Sequence, residues 1–130
     1  MSEHRSMRTP LARVRYLGAA RSGTEHFWQQ RLTSVALIPL SMAVVFIVIG
    51  LLGRNHAAVL QILGSPLVAI VMLLFIIAAV YHMWLGMQVI IEDYVHDELW
   101  KFVTLMANTF FSFAVGLAGV YAILKMSFGV

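Results

Sequence analysis

Residues 66–91 read PLVAIVMLLFIIAAVYHMWLGMQVII, and this stretch of 26 residues decides the fold because it contains no Lys, Arg, Asp or Glu. At 1.5 Å per residue, a helix of this length reaches about 39 Å, whereas the hydrocarbon core of a bilayer is about 30 Å thick. The stretch lacks period-2 alternation and far exceeds the roughly 11 residues of a transmembrane strand. We therefore expect a membrane-spanning helix whose extra length allows it to tilt or to leave the membrane at one end.

Two further apolar blocks lie on either side of this stretch. Residues 32–52 form a block of 21 residues and residues 102–124 form one of 23, each with a basic residue near both ends. Hydrophobic residues make up 61% of the chain and charged residues 12%. In a soluble domain these fractions are about 45–50% and about 25%. The sequence predicts an all-α integral membrane protein with three transmembrane helices, at about 32–52, 66–92 and 102–124.

The loops indicate the orientation of the chain. Residues 1–31 carry six Arg against two Glu, a net charge of +4, whereas the loop at 53–65 carries only Arg54 among charged residues. The positive-inside rule then predicts a cytoplasmic N-terminus (or its matrix equivalent) and a periplasmic C-terminus. The loop at 92–101 falls on the inner face although it is mostly acidic, since acidic residues have little weight in topology. We expect an Arg-rich cytoplasmic segment at 1–31 and a three-helix membrane anchor at 32–130.

Several absences narrow the classes of function. The chain has no cysteine, which excludes disulfides, zinc thiolate sites and iron–sulfur ligation by its own residues. It has no glycine-rich phosphate loop and no HExxH or GxSxG motif, and we expect no nucleic-acid partner. The N-terminal residues lack the apolar run and cleavage site of a secretory signal, although an Arg-rich, acid-poor start also fits a mitochondrial transit peptide.

His82 is the polar residue that most needs an explanation, because it lies inside the longest apolar block. It precedes Ile91 by nine residues, so it lies about 14 Å below the inner end of the helix, near mid-membrane. An ionisable group at this depth costs free energy and marks a function or a specific partner. Neutral imidazole suits either an axial bond to haem iron or a hydrogen bond to a neighbouring helix. Gly86, one turn later, leaves a gap for a flat macrocycle or for close helix packing.

The inner end of the same helix carries a second candidate site. Asp93 follows His82 by eleven residues, which places both on one face, and Tyr94 is offset by about 120°. Tyr94 can donate a hydrogen bond to a carbonyl oxygen, and Asp93 and His96 can pass protons from the inner aqueous phase. Quinone reduction at a membrane surface needs this chemistry. The alternative is an interfacial tyrosine above a solvated turn.

The residues before the first span form a third candidate site. Ser22 and Glu25 have the spacing of a capping box, and Trp28 suits the headgroup level. Arg31 enters the membrane at its inner edge. There it can pair with an anionic group such as a haem propionate, or reach the lipid phosphates.

The third block carries small residues that predict close packing on another helix, unless they only reflect the general composition of membrane helices. They are Ala114, Gly116, Ala118 and Gly119.

Three motifs carry a resemblance to a known family. They are SGTEHFWQQRLT at 22–33, YHMWLGMQVIIEDYVH at 81–96 and LMANTFF at 105–111. From about residue 22 onward, the chain resembles the small hydrophobic membrane anchor of succinate dehydrogenase (succinate–quinone reductase, complex II). Within that pair of anchors it is similar to the D-type subunit rather than to the larger cytochrome b subunit.

The resemblance implies roles for individual residues. His82 matches the axial ligand of haem b, whose other ligand comes from the partner anchor subunit. Tyr94 matches a tyrosine that hydrogen-bonds a ubiquinone carbonyl, and Asp93 matches an adjacent acid that helps protonation. Arg31, and more loosely His26, match a polar cluster near the haem propionates and the quinone pocket.

The resemblance also implies an electron-transfer function that is shared among subunits. A flavoprotein subunit with FAD oxidises succinate, and an iron–sulfur subunit carries the electrons to the membrane. Quinone is reduced where the iron–sulfur subunit meets the two anchors. This chain is then a non-catalytic anchor in a helical bundle with the cytochrome b anchor subunit, surrounded by lipids of a bacterial inner membrane, with the mitochondrial inner membrane as the alternative.

The distribution of histidines agrees with a shared haem, because His82 is the only histidine within the three apolar blocks. A haem with two histidine ligands therefore needs a second subunit. Two other functions stay open from the sequence. One is the anchor of a fumarate reductase, which runs the reverse reaction, and the other is a non-redox membrane scaffold in which His82 is structural.

Overall fold

The computed structural model describes residues 9–11 and 23–129 of the chain. Residues 23–129 form four α-helices, which we label in chain order α1 (Gly23–Leu51), α2 (His56–Leu63), α3 (Pro66–Tyr94) and α4 (Glu98–Phe128). Helices α1, α3 and α4 are long and apolar enough to cross a membrane. The prediction of an all-α chain with three such helices is confirmed. Most of the Arg-rich segment expected at 1–31, and the expected cap at Ser22, lie outside the described residues.

The long helices extend beyond the apolar blocks that predict them. Helix α1 begins at Gly23, nine residues before the block at 32–52, so it runs through the expected segment boundary at residue 31. Residues 24–31 contain neither Pro nor Gly, and nothing in them interrupts a helix. Hydropathy marks where a chain enters the apolar phase, whereas a helix ends where its backbone hydrogen bonding ends. The domain boundary drawn from composition therefore does not coincide with a structural boundary.

The N-terminal end of α4 also extends beyond the apolar block that predicts it. This helix begins at Glu98, before the block predicted at 102–124. The Asp97 carboxylate accepts a hydrogen bond from the backbone N–H of Trp100 at 3.0 Å, which satisfies one of the free donors at the helix start. An acidic residue that composition assigns to a loop thus determines where α4 begins.

The connection from α1 to α3 contains the short helix α2, which the apolar pattern does not predict. Asn55 caps it, because its side-chain oxygen accepts a hydrogen bond from the Ala58 N–H at 2.9 Å. Glycine is required at position 64 by a close backbone approach. A Cβ there would lie 2.9 Å from the carbonyl oxygens of both Leu60 and Met126. This turn is therefore held against the C-terminal part of α4.

Helix α3 is central, because it packs against α1 on one side and against α4 on the other. Gly116 and Gly119 of α4 face α3, and a Cβ at position 119 would lie 3.0 Å from Cγ2 of Ile76. Ala114 and Ala118 are exposed instead. The expectation of a close-packed small-residue face holds for the two glycines only, since a residue two positions away is rotated by about 200° around the helix.

Few side chains of these helices are buried, and many large apolar ones are exposed. In a bilayer this arrangement carries no penalty, because lipid tails are as apolar as the side chains themselves. The helices must then be held together by close packing and by polar contacts. The buried residues lie on the two helices α3 and α4: Ala69, Leu85, Ile91, Asn108, Ser112 and Ile123.

A polar contact between α1 and α3 as the candidate functional site

His82 is half-buried on the side of α3 that faces α1. Its Nδ1 lies 2.9 Å from Oγ1 of Thr33, and its Nε2 lies 3.4 Å from Nε2 of Gln30. Thr33 and Gln30 are three residues apart, so they share one face of α1. Both ring nitrogens of His82 therefore meet the same helix. The ring lies about 18 Å along α3 from Tyr94, the last residue of that helix.

The hydrogen bonds around Thr33 favour one tautomer of His82. The Thr33 hydroxyl has a single hydrogen, and the carbonyl oxygens of Gln29 and Gln30 lie within range to accept it, at 2.8 Å and 3.1 Å. With the hydrogen assigned to these carbonyls, the hydroxyl oxygen accepts toward His82, and the ring hydrogen is assigned to Nδ1. The lone pair of Nε2 faces the Gln30 amide nitrogen, which donates to it over a long 3.4 Å contact.

The Gln30 carboxamide fills the space beside Gly86, where the sequence predicts a gap. A Cβ at Gly86 would lie 3.5 Å from Nε2 of Gln30, which is ordinary van der Waals contact. The other amide atom, Oε1 of Gln30, is buried and has no hydrogen-bond partner among the residues that the structure describes. One long donor contact and one unsatisfied acceptor make this a weakly held side chain.

A cavity of about 340 Å³ lies next to Gln30, between the N-terminal part of α1 and the C-terminal part of α3. Its polar lining residues are His26, Gln30, Arg31 and Glu92, and apolar residues such as Leu85 complete it. The structure thus brings together His26 and Arg31, the two residues of the predicted polar cluster, and adds Glu92 of α3 to them.

Two of the polar residues at this cavity have contacts along their own helices. The Arg31 guanidinium carbon lies 5.1 Å from the ring centroid of Phe27, one turn earlier, in a cation–π arrangement. The Glu92 carboxylate accepts a hydrogen bond from Nε2 of Gln88 at 3.1 Å. Oε1 of Gln88 is buried without a partner in the described part of the chain. Within the described residues, the N-terminal part of α1 and the C-terminal part of α3 therefore bring together one cation, one carboxylate and two unsatisfied amide oxygens.

Asp93 and Tyr94 lie apart from this cavity. Both are exposed, Tyr94 to 78%, at the end of α3. His96 approaches the backbone carbonyl oxygen of Tyr94, with Nδ1 at 3.1 Å, and so leaves the phenol group accessible. Asp93 and Tyr94 lie at the C-terminal end of α3, and His82 lies about 18 Å back along the helix, so these residues form two separate candidate sites along one helix.

The opposite side of α3 has a different polar contact, with α4. Nδ2 of Asn108 donates to the carbonyl oxygen of Trp84 at 3.1 Å, and Nε1 of Trp84 donates to Oγ1 of Thr109 at 3.1 Å. Ser112 Oγ lies 3.5 Å from Oδ1 of Asn108. These polar groups bond one another, and the contact is structural.

Sequence reasoning missed Gln30 and Thr33 as neighbours of His82. Both stand in the motif at 22–33, and their spacing of three residues at the entrance of an apolar helix is a usable signal for a polar face. The signal does not say which residue of another helix that face meets. Glu92 stands at the end of the predicted helix at 66–92 and is counted among the charges of the 92–101 loop, but the sequence does not show that it lies beside His26 and Arg31.

Comparison with known proteins agrees with the resemblance. Residues 5–123 match the family described as succinate dehydrogenase/fumarate reductase transmembrane subunit. The chain is 31% identical over 121 residues to the succinate dehydrogenase hydrophobic membrane anchor subunit of Paracoccus denitrificans, which covers 93% of each chain. It is 28% identical over 116 residues to the protein of that name from Rickettsia bellii, covering 89% of this chain and 93% of the relative.

A third relative is the succinate dehydrogenase membrane anchor subunit of Reclinomonas americana, with 32% identity over 88 residues, 65% of this chain and 73% of the relative. No solved structure matches the chain significantly. The family match covers α1 to α3 entirely and most of α4. The chain is therefore a multi-pass membrane protein that belongs to the family of succinate dehydrogenase and fumarate reductase transmembrane subunits.

Proposed function

We propose that this chain is the membrane anchor subunit of a succinate:ubiquinone oxidoreductase in a bacterial inner membrane. His82 provides one axial ligand of haem b, and Tyr94 and Asp93 form part of the ubiquinone-reduction site. The observation that carries the proposal is the state of the His82 ring. Its Nδ1 hydrogen is bound at 2.9 Å by Thr33, and the lone pair of Nε2 is opposed only by the long contact to Gln30.

The residues around His82 fit a haem after one side chain rotates. Imidazole binds iron through a nitrogen lone pair, and here the available lone pair is on Nε2. The Gln30 carboxamide must leave that nitrogen, and it gives up little because its oxygen has no partner and its donor contact is 3.4 Å long. Gly86 presents no side chain at this place. When bound, haem b supplies a one-electron carrier within the membrane.

The cavity at the inner ends of α1 and α3 supports the roles of Arg31 and His26. The Arg31 guanidinium is a planar donor that suits a carboxylate such as a haem propionate. His26 lines the same cavity and can donate to a propionate or to a bound quinone. His26 lies about one turn before Gln30 on α1, and Arg31 directly follows Gln30, so Arg31 lies at about the level of His82, which contacts Gln30 and Thr33.

Tyr94 and Asp93 support the quinone site by their position. The Tyr94 phenol is exposed at the end of α3 and can donate a hydrogen bond to a quinone carbonyl. Asp93 is adjacent and exposed, so it can exchange protons with the inner aqueous phase. This chain does not enclose the site, which suits a quinone held between several subunits. The proposed partners are a cytochrome b anchor subunit, an iron–sulfur subunit and a flavoprotein subunit that holds FAD.

The proposed orientation places the N-terminus in the cytoplasm and the C-terminus in the periplasm. Six Arg against two Glu in residues 1–31 favour this direction under the positive-inside rule. An alkaline phosphatase domain fused after residue 130 is then expected to be active, and a green fluorescent protein domain at the same place is expected to be dark. The opposite pair of results would reverse the topology.

The haem role is tested by His82→Ala in the whole complex, with His96→Ala as the matched control because His96 is an exposed histidine. We expect the haem-to-flavin ratio of the purified complex to fall below about a tenth in His82→Ala, since second-sphere changes alone are worth 10–100-fold in metal affinity. His96→Ala is expected to keep wild-type haem. Full haem occupancy in His82→Ala would refute ligation and favour a scaffold in which His82 is structural.

The quinone role is tested by Tyr94→Phe, with Tyr121→Phe as the control because Tyr121 is an exposed tyrosine of α4. We expect Tyr94→Phe to lower succinate:quinone activity about tenfold or more, as for a lost hydrogen bond of about 1.4 kcal/mol. Succinate oxidation with an artificial dye should be unchanged, because it bypasses the membrane site. Equal quinone rates in the mutant and the wild type would remove Tyr94 from the site.

A fumarate reductase anchor is the second candidate, because the family description covers both enzymes. The three relatives described above are all named for succinate dehydrogenase, which favours the first candidate. Comparing succinate oxidation by quinone with fumarate reduction by quinol in the same purified complex distinguishes the two directions.

A further inference from the structure

We propose that Thr33 is the positioning residue that holds His82 in the tautomer whose Nε2 binds haem iron. The inference rests on the proposed ligation by His82 and gives a role to a residue of a different helix. Thr33 does not touch the iron. It acts through the imidazole ring, by accepting the Nδ1 hydrogen at 2.9 Å.

The backbone of α1 offers two acceptors for the Thr33 hydroxyl hydrogen, and this arrangement leaves the oxygen as an acceptor toward His82. The single hydroxyl hydrogen is directed to the carbonyl oxygens of Gln29 and Gln30, at 2.8 Å and 3.1 Å. A hydroxyl whose hydrogen is engaged in its own helix offers only lone pairs to other groups. The imidazole must then present N–H toward Thr33 and keep its lone pair on the other nitrogen. The opposite tautomer would place two lone pairs against each other at 2.9 Å.

The position of the ring is fixed as well as its tautomer. Thr33 is β-branched, so its side chain has few rotamers, and its backbone hydrogen bond holds the oxygen in one place on α1. The bond to Nδ1 therefore anchors one edge of the ring, while the edge with Nε2 meets only the weakly held carboxamide of Gln30. The ring is thus held at 2.9 Å through Nδ1, whereas Nε2 has only a 3.4 Å contact. A histidine oriented in this way through one nitrogen has its other nitrogen available to bind a metal.

The hydrogen bond has an electronic consequence that can be measured. A histidine ligand that donates its other N–H to an acceptor becomes more basic, which stabilises the ferric form of a bound iron. Loss of the acceptor makes the ligand less basic, so the midpoint potential of the haem rises. A residue that only filled space at this position would not move the potential in this direction.

The experiment uses the purified whole complex with its native haem b and four variants of this chain. Thr33→Val removes the hydroxyl at nearly constant shape, Thr33→Ala removes it without any steric conflict, and Thr33→Ser keeps it. Ser34→Ala is the matched control, because the Ser34 hydroxyl donates to the Gln30 carbonyl oxygen at 2.7 Å on the same turn of α1. The readouts are the haem-to-flavin ratio, the haem midpoint potential and the low-spin electron paramagnetic resonance spectrum of the oxidised haem.

We expect Thr33→Val and Thr33→Ala to raise the midpoint potential and to shift the g values, or to lower the haem content. Thr33→Ser and Ser34→Ala should keep the potential, spectrum and haem content of the wild type. The proposal is overturned if Thr33→Val and Thr33→Ala match Ser34→Ala, or if Thr33→Ser behaves like Thr33→Ala. Failure of the haem function itself is recognised separately, because His82→Ala would then keep its haem.

Discussion

The two faces of α3 make contacts of different kinds with their neighbouring helices. Toward α4 the packing is close, with Gly119 against Ile76, and the side chain of Asn108 bonds the Trp84 carbonyl at 3.1 Å. Toward α1 the contact is polar, because His82 meets Thr33 at 2.9 Å and Gln30 at 3.4 Å, and a cavity of about 340 Å³ with polar lining residues lies beside Gln30. A cavity of about 520 Å³ between α3 and α4 is lined mainly by apolar residues, so the two sides of α3 differ in the polarity of the groups that they offer to other molecules.

The difference shows how a small membrane subunit separates stability from function. Buried residues occur on α3 and α4, whereas α1 has none. Among the described residues, the amide oxygens of Gln30 and Gln88 are buried without a hydrogen-bond partner; Gln30 lines the cavity between α1 and α3, and Gln88 donates to Glu92, which also lines it. Unsatisfied buried oxygens destabilise a protein that stands alone. These oxygens support an interface that is completed only by a ligand or another subunit.

The largest loss of stability is expected from Gly119→Val, on the side of α3 that packs against α4. A Cβ at this position already lies 3.0 Å from Ile76, so a branched side chain must push α4 away from α3, at a cost of about 1–3 kcal/mol. Gly50→Val is the control, because a Cβ there meets nothing within 4 Å. The measurement is the thermal midpoint of the complex in mild detergent. Equal midpoints for the two variants would show that α3 and α4 are not held by this contact.

A smaller effect is expected from Asn108→Ala. The change removes the hydrogen bond to the Trp84 carbonyl, and interhelical bonds of this kind in membranes are worth about 0.6 kcal/mol, with a maximum of about 1.7. Thr104→Ala is the control, since its hydroxyl bonds within α4, to the Trp100 carbonyl at 2.7 Å. The thermal midpoint should fall in Asn108→Ala only, and the haem spectrum should not change. A changed haem spectrum would mean that the two sides of α3 are coupled.

The smallest effect on stability is expected from Gln30→Leu, with Gln29→Leu as the neighbouring control. The change removes a weak donor contact and an unsatisfied oxygen together, so the stability of the haem-loaded complex should stay within about 0.5 kcal/mol of the wild type. The haem-to-flavin ratio should also be kept. Loss of haem in Gln30→Leu but not in Gln29→Leu would mean that Gln30 supports the bound haem rather than occupying its place.

Much of the fold could be predicted from hydropathy alone, with errors that have a common cause. The three apolar blocks correctly predict three long helices, because a single segment that crosses the lipid satisfies its backbone hydrogen bonds by forming a helix. Hydropathy alone does not give the start of α1 at Gly23, which the capping-box spacing of Ser22 and Glu25 indicates, and it misses the separate helix α2. Both lie in polar or mixed sequence, where capping and backbone geometry rather than apolar length determine where a helix begins and ends.

Some residues of the candidate sites can be predicted from the sequence, and others cannot. His82, Asp93 and Tyr94 stand out in the sequence, because polar groups within or at the end of an apolar helix are costly or conspicuous. Gln30 and Thr33 do not, since polar residues near the start of a spanning helix are ordinary. Their significance comes from the 2.9 Å and 3.4 Å contacts to His82, which is about fifty residues further along the chain.

The sequence alone established the membrane class and the three spans, because both follow from local hydropathy and a fixed rise per residue. It also established the family, through motifs that stand in order along the chain. Only the tertiary structure decided that His82 faces α1, that its Nδ1 is bound by Thr33, and that glycines of α4 rather than alanines pack on α3. The physical reason is that helix rotation and pairing depend on contacts between distant segments, and in lipid no hydrophobic pattern specifies them.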